Sequence, residues 1–228
     1  MSALGHYLEE EGIATVAIGL IRPQIENTKP PRALWVPFEL GRPFGPPGDP
    51  AFQTRVILAA LRLLERADGP VILADFPADD PREAPDPSWR PPAPAETVAA
   101  EIAALAPAYR DRLARSGRST VGLSGLSIEA CGATIAAWLR GAPPPSPRPG
   151  YSAPLLLRFA IDDVKAYVLE AAAGGAQPSS RQLGDWLWQR SATGAALHAL
   201  RELCLASDDE RLKLIAGNFI VPAARVRA

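Results

Sequence analysis

Two short apolar runs, ATVAIGLI at 14–21 and ALWVPF at 33–38, are the features that most restrict the fold of this chain. Neither run alternates with polar residues, which is typical of strands buried on both faces, as in a parallel sheet. Shorter runs at 71–74 and 119–123 are candidates for a third and a fourth strand. The sequence therefore predicts an α/β fold with a parallel-type sheet of about four strands flanked by helices.

Helical patterns occupy the intervals between these strands. The first helix, over 2–11, is predicted to end at Gly12, because glycine is the usual residue just after a helix. Asp49 is followed by proline and by apolar residues at helical spacing, so it is a predicted helix cap. A long helix is predicted from about 95 to 116, and Ser127 is the predicted cap of the next one.

Two proline-rich segments divide the chain. The first, 75–94, is also acidic and is predicted to be an exposed loop or lid within an α/β domain over 1–141. The second, 142–152, is a predicted linker. Beyond it, 153–228 is predicted to be an all-helical region packed on the first domain, and Ser207 is a predicted cap within it. The predicted helices of this region lie at 153–173, 179–190, 192–206 and 208–217.

Composition argues against several classes of partner. The net charge of −1 gives no basic surplus for nucleic acid. We find no signal peptide and no apolar run of about 18 residues, so a cytoplasmic protein without a membrane partner is expected. With two histidines in the sequence, no metal site is predicted, and no cofactor is expected. Cys131 and Cys204 are interpreted as reduced, buried thiols.

The loop after the second strand is the strongest candidate for ligand binding. In a parallel sheet, ligands bind beyond the carboxyl ends of the strands, where Glu39 and Arg42 are expected. Arg22 follows the first strand and Arg32 precedes the second, so both are further candidates. Arginine binds carboxylates in a forked geometry, which suits a small carboxylate substrate. The competing interpretation is that Glu39 and Arg42 pair with each other across a rigid turn.

Three other groups of polar residues have structural explanations. The segment GLSGLS at 122–127 lacks the spacing of a phosphate-binding loop, so it is predicted to be a turn into a helix. Its backbone amides could still receive an anion. Asp162 and Asp163 are interpreted as capping or first-turn acids. His6 is interpreted as a surface histidine, with a general base as the alternative.

Two stretches together resemble a known family: HYLEEEGIATVAIGL at 6–20 and PPRALWVPFELGRPFGPPGDPAFQ at 30–53. They resemble selenoprotein B of the glycine, sarcosine and betaine reductases, and the related D-proline reductase subunit. The shared pattern is a helix, an E-x-x-G-I-x-x-V entry to a strand, and a VPF-x-LG-x-P-x-G loop after the next strand. The resemblance covers residues 1 to about 65.

The resemblance implies reductive cleavage of a carbon–nitrogen bond in a small amine, with a disulfide as acceptor. In that family a substrate-binding subunit carries the attacking selenol or thiol just before the helix that corresponds to 2–11. This chain has no cysteine in its first 130 residues, so the nucleophile is assigned to no position. Three explanations stay open: a partner polypeptide supplies that residue, the chain has lost the chemistry, or coding sequence precedes Met1.

Two hypotheses follow. In the first, the chain binds a small amino acid or betaine-like substrate and works with a thiol- or selenol-bearing protein subunit. In the second, it is a non-catalytic binding or assembly module whose helical region, with Trp186 and Trp188, contacts a partner. An oligomer is possible under either. A hydrolase that uses Ser124 is a third hypothesis, which the absence of the G-x-S-x-G pattern disfavours.

Overall fold

The computed structural model describes residues 2–77, 85–176 and 178–226. The chain divides into two compact units, Met1–Glu83 and Ala84–Ala228. Residues 78–84 of the predicted proline-rich loop lie outside the described residues. Within the described residues, no helix is long and apolar enough to cross a membrane.

The first unit is built on a parallel sheet. Its strands are β1 (Ala17–Gly19), β2 (Arg32–Trp35) and β3 (Ile72–Asp75), in the order β1-β2-β3. The register pairs Gly19 with Trp35 and Trp35 with Asp75, so the carboxyl ends of all three strands meet at one edge. The prediction of a mixed α/β fold with a parallel sheet is confirmed.

In the part of this unit that the structure describes, three α-helices accompany the sheet: α1 (Ser2–Glu10), α2 (Arg22–Thr28) and α3 (Pro50–Arg62). The side chain of Asp49 accepts a hydrogen bond from the Phe52 amide at 2.9 Å, which confirms the predicted cap of α3. Helix α2 was not predicted, because it has only seven residues and its proline lies in the first turn.

A cluster of aromatic rings lies beneath the carboxyl ends of the strands. Phe38 follows β2 and Phe76 follows β3, and each ring contacts the other and that of Phe52 in α3, with centroids 5.4–5.8 Å apart. Gly45 lies against the same cluster with φ +85°, and a Cβ there would be 2.5 Å from the Phe52 ring. The glycines and prolines of the 37–48 loop therefore let it close tightly over this core.

The second unit is helical in the described residues. Its longest described helix is α6 (Ala153–Ala173), whose Leu157, Ile161, Val164 and Val168 are at most 1% exposed. The helices are α4 (Val98–Ser116), α5 (Ile128–Leu139), α6 (Ala153–Ala173), α7 (Ser180–Arg190), α8 (Ala192–Leu205) and α9 (Glu210–Ile215), followed by a π turn at Ala216–Ile220.

The boundary between the units differs from the predicted one. Ile102 of α4 and Ile135 of α5 share a single core with Leu157 and Ile161 of α6, so α4 and α5 belong to the helical unit. The segment 142–152 is accordingly a loop inside that unit. Proline content alone cannot distinguish a loop inside a unit from a linker between units, because proline disfavours regular structure in both.

The predicted fourth strand at 119–123 is not a strand. The Thr120 amide donates to Glu170 Oε1 at 2.9 Å, and the Gly122 and Leu123 amides donate to Asp163 at 2.8 and 2.9 Å. These amides donate to carboxylates of α6, so they are not available for the hydrogen bonds that a strand makes with its neighbour.

The proline-rich segment after residue 85 is anchored rather than lid-like. Trp89 Nε1 donates to the Ala172 carbonyl at 2.9 Å, and Trp186 Nε1 donates to the Pro92 carbonyl at 3.3 Å. The amide of Gln182 is bonded to both backbone groups of Asp86. This part of the segment is therefore held to α6 and α7.

Candidate functional site

Arg22 lies at the carboxyl edge of the sheet, as predicted, and its guanidinium is already engaged. It donates to Glu26 at 2.8 Å and to Asp75 at the end of β3, and it lies 5.0 Å from the Trp35 ring centroid. The hydrogen bond to Asp75, followed by the one to Glu26, raises the pKa of Arg22. Arg22 thus links the ends of the three strands.

Glu39 and Arg42 also lie beyond this edge, on the loop that follows β2. Arg42 Nη1 is 3.8 Å from Glu39 Oε2, and the Arg42 amide donates to the Glu39 carbonyl at 3.0 Å. The two side chains are therefore paired across a turn, which agrees with the competing interpretation made from the sequence. This pairing does not itself assign them a ligand.

Arg32 lies at the opposite edge of the sheet, where β2 begins. Its Nη1 contacts both carboxylate oxygens of Glu9, one of them at 2.6 Å. The pKa of Glu9 is lowered, first by the hydrogen bond from Arg32 and against the effect of burial, with Thr15 also lowering it. Arg32 therefore fastens α1 to the start of β2, and the structure does not bring it to the other candidates.

A cavity of about 790 Å³ lies elsewhere in the first unit, between α1, β1 and α2. Strand β1 and residues 20–21 after it line the cavity, and Leu40 of the 37–48 loop borders it. None of the four predicted arginine and glutamate candidates lines it. The polar residues that do line it are Ser2, His6, Gln24 and Thr28.

His6 is the titratable side chain on the wall of this cavity. Its Nε2 lies 2.7 Å from the carbonyl oxygen of Lys29, the residue that ends α2 with φ 42°. A carbonyl oxygen only accepts, so Nε2 carries the proton and Nδ1 is the acceptor of the neutral ring. His6 is thus a partly exposed imidazole with a fixed orientation, which leaves the prediction of a surface histidine standing. The spacing of Ser2 and His6 on one face of α1 was the signal that could have indicated a shared wall.

In the helical unit, the turn at 122–124 does receive an anion, and the anion is Asp163. This carboxylate is fully buried in the middle of α6 and accepts from the amides of Gly122, Leu123 and Ser124 at 2.8–2.9 Å. The interpretation of Asp163 as a first-turn acid is therefore wrong. The turn needs no external ligand, because the protein supplies the negative charge itself.

Ser124 is committed to the same arrangement. Its hydroxyl donates to Asp163 Oδ2 at 2.5 Å and lies 3.2 Å from Cys131 Sγ, and the residue is 1% exposed. Neither of the chain's histidines contacts Ser124 in the described structure. The geometry therefore gives no support to a serine nucleophile.

Both cysteines are free and fully buried. Burial raises the pKa of Cys131 and raises that of Cys204 to about 11. A buried thiol with a raised pKa is a poor nucleophile, since the thiolate is the reactive form. The prediction that both are structural thiols agrees with this environment. Among the described residues, no group of histidine, cysteine and acidic side chains could hold a metal ion.

Comparison with known proteins finds no matching family model, no matching curated protein and no matching solved structure. The resemblance to selenoprotein B therefore stays a prediction.

Proposed function

We propose that the chain is a selenoprotein B-like component of a glycine, sarcosine, betaine or D-proline reductase. It binds a small amino-acid or betaine-like substrate in the cavity between α1, β1 and α2. A partner subunit supplies the thiol or selenol that cleaves the carbon–nitrogen bond.

One observation supports this assignment above the others. The segments that carry the family resemblance are the first helix, the strand after it and the loop after β2. All three contribute to the wall of one cavity, through His6, Gly19 and Leu40 respectively. A ligand shared with that family would account for similarity in segments that line one cavity.

The chemistry also fits a reaction in which this chain binds the substrate and a second chain supplies the nucleophile. Displacing an amine from an α-carbon needs a strong, low-pKa nucleophile. Both cysteines of this chain are buried and their pKa values are raised. Residues Ser2 and Ala3, at the start of α1, line the cavity, and the family's redox segment lies next to that helix end. A thiol brought there by a partner would meet a substrate bound above β1.

A thermal-shift titration with glycine, sarcosine, betaine and D-proline tests the binding step. A ligand at about ten times its Kd stabilises the native state by about 1.4 kcal/mol, so one member of the panel should raise the Tm. Ala3→Trp places an indole in the cavity and should abolish the shift. Leu4→Trp is the matched control, because Leu4 is 54% exposed and does not line the cavity.

The proposal fails if none of the four compounds raises the Tm up to 100 mM. It also fails if Ala3→Trp and Leu4→Trp respond to the same ligand equally. His6→Ala should weaken the response without lowering the Tm of the free protein greatly, since within the described residues its side chain makes one hydrogen bond, to the end of α2.

The alternative, a non-catalytic assembly module, is favoured by a different observation. Ile57, Leu58 and Leu61 form an apolar surface on α3 and are 42–48% exposed. By contrast, Trp186 and Trp188, which were expected to contact a partner, are buried in the core at 3% and 7% exposure. Light scattering of Leu58→Glu beside the unmodified chain tests this alternative: assembly through α3 predicts a smaller particle for the variant.

A further inference from the structure

The helical unit contains another cavity, of about 610 Å³, between α6, α7 and the π turn. This volume falls within the range of small-molecule sites, roughly 300–1,000 Å³. Most of its wall is apolar. The apolar wall residues are Leu169, Leu183, Leu187, Trp188, Phe219 and Pro222.

Arg158 projects from α6 at this cavity, and an aromatic ring holds its guanidinium. The guanidinium carbon lies 4.0 Å from the Phe219 ring centroid and 5.4 Å from that of Phe159. The Arg158 side chain is 32% exposed. Its ion pair with Asp162 is 3.9 Å long, which exceeds hydrogen-bond distance. Within the described residues, Arg158 makes no side-chain hydrogen bond, although a guanidinium has five N–H donors.

The neighbouring charges compensate this arginine only in part. Lys165 Nζ lies 3.0 Å from Asp162 Oδ1 and donates to the Phe219 carbonyl at 2.8 Å. Asp162 thus pairs more closely with Lys165 than with Arg158. The charged residues of the described wall are these three, two cationic and one anionic, so the wall carries one net positive charge.

The π turn at Ala216–Ile220 presents Phe219 to the guanidinium. The Lys165 bond to the Phe219 carbonyl fixes this turn on α6. Turns of this kind occur frequently at functional sites. The Phe219 ring, the Arg158 guanidinium and the apolar side chains therefore line the same cavity.

We propose that this cavity binds a small monocarboxylate with an apolar body, and that Arg158 binds its carboxylate. The apolar wall covers the body of the ligand, and the forked donors of the guanidinium match the two carboxylate oxygens. An apolar cation is repelled by the net positive charge, and a neutral analogue lacks the charge-assisted hydrogen bonds. This site lies in the helical unit and is independent of the function proposed for the first unit.

Calorimetric titration of the full chain with octanoate, beside octanamide, tests the proposal. Octanoate should bind at least about tenfold more tightly than the neutral octanamide, because charged hydrogen bonds are the stronger ones. Arg158→Ala should lose that preference. Arg158→Lys, which keeps the charge but not the fork, should bind octanoate with intermediate affinity. Arg181→Ala is the matched control, since Arg181 is 72% exposed and does not line the cavity.

The location of binding is read independently from the indole N–H signal of Trp188, assigned with Trp188→Phe. The proposal predicts that octanoate shifts this signal in the unmodified chain and in Arg181→Ala. Absence of binding at millimolar octanoate overturns it. So does equal binding of octanoate and octanamide, or an unchanged affinity in both Arg158 variants whose melting curves remain cooperative.

Discussion

Replacing Asp163 with alanine should destabilise the chain by about 4 kcal/mol. Asp163 is fully buried in α6 and accepts four hydrogen bonds from the turn before α5. Three come from backbone amides and one from the Ser124 hydroxyl. The carboxylate therefore fixes the turn and, through it, the start of α5.

The magnitude follows from which donors water can reach after the change. A hydrogen bond to a charged group contributes about 1.5–3 kcal/mol, so four of them would suggest more than about 6 kcal/mol. Gly122 and Leu123 are exposed, however, and water can replace their acceptor. Ser124 is buried, so its N–H and O–H would lose their partner at about 1–3 kcal/mol each. The sum for Ser124 centres on about 4 kcal/mol.

Asp163→Asn should cost less, about 2 kcal/mol. Its amide keeps the shape of the carboxylate and one accepting oxygen. Its NH₂ group, however, cannot accept from the Ser124 amide, and the charge that strengthened the bonds is gone. The two variants therefore separate the loss of the charge from the loss of all four hydrogen bonds.

Urea denaturation followed by circular dichroism at pH 7 measures these differences. Asp162→Ala is the matched control, because Asp162 immediately precedes Asp163 on α6 and forms ion pairs near the surface, where its side chain is 24% exposed. Such pairs contribute about 0–1 kcal/mol. A cost below about 1 kcal/mol for Asp163→Ala, or one equal to that of Asp162→Ala, would refute the reasoning.

Further predictions concern a titration, two thiols and a helix contact. Burial acts to raise the pKa of Glu170, but hydrogen bonds from Thr120 and Ser119 and the charge of Arg112 lower it below 4.5 overall. The stabilisation is therefore complete above about pH 4.5 and is lost as the pH falls through the folded-state pKa, so acid unfolding should be shallower in Glu170→Gln. Cys131 and Cys204 should react with a thiol reagent at pH 8 only in urea; rapid labelling of native protein would contradict their burial. Gly194→Ala should lower stability by about 3 kcal/mol or more in the same urea assay, because its Cβ would lie 1.9 Å from the Leu187 carbonyl oxygen; a change within error would show that the backbone yields.

Local patterns were sufficient to predict most of the helices. The predicted helix at 153–173 agrees with α6 at both ends, and the predicted caps at Asp49 and Ser127 are both present. Such signals lie within a few residues of the helix start, so no tertiary information is needed. The last helix shows the limit, since Asp209 rather than Ser207 caps it.

Long-range pairing could not be predicted in the same way. The run at 119–123 resembles a strand, but carboxylates on α6, some 40–50 residues later, bind its amides. Likewise, Arg22 pairs with Asp75, 53 residues away, and no local pattern encodes that partner. His6 was recognisable as a helical residue, but its position on a cavity wall depends on how α1 packs against β1 and α2. Candidate sites built from sequence neighbours therefore missed the residues that tertiary packing brings together.

Chemical-shift mapping of the isotopically labelled chain with sarcosine, betaine, glycine and D-proline tests the central claim most directly. The amides of 17–21, His6 and Leu40 surround the proposed substrate cavity. Our account predicts that one ligand shifts these amides together and saturably, and leaves the amides of the helical unit unchanged. If every ligand leaves the amides of 17–21 unchanged, or if the saturable shifts lie only in the helical unit, the claim that this cavity binds the substrate is contradicted.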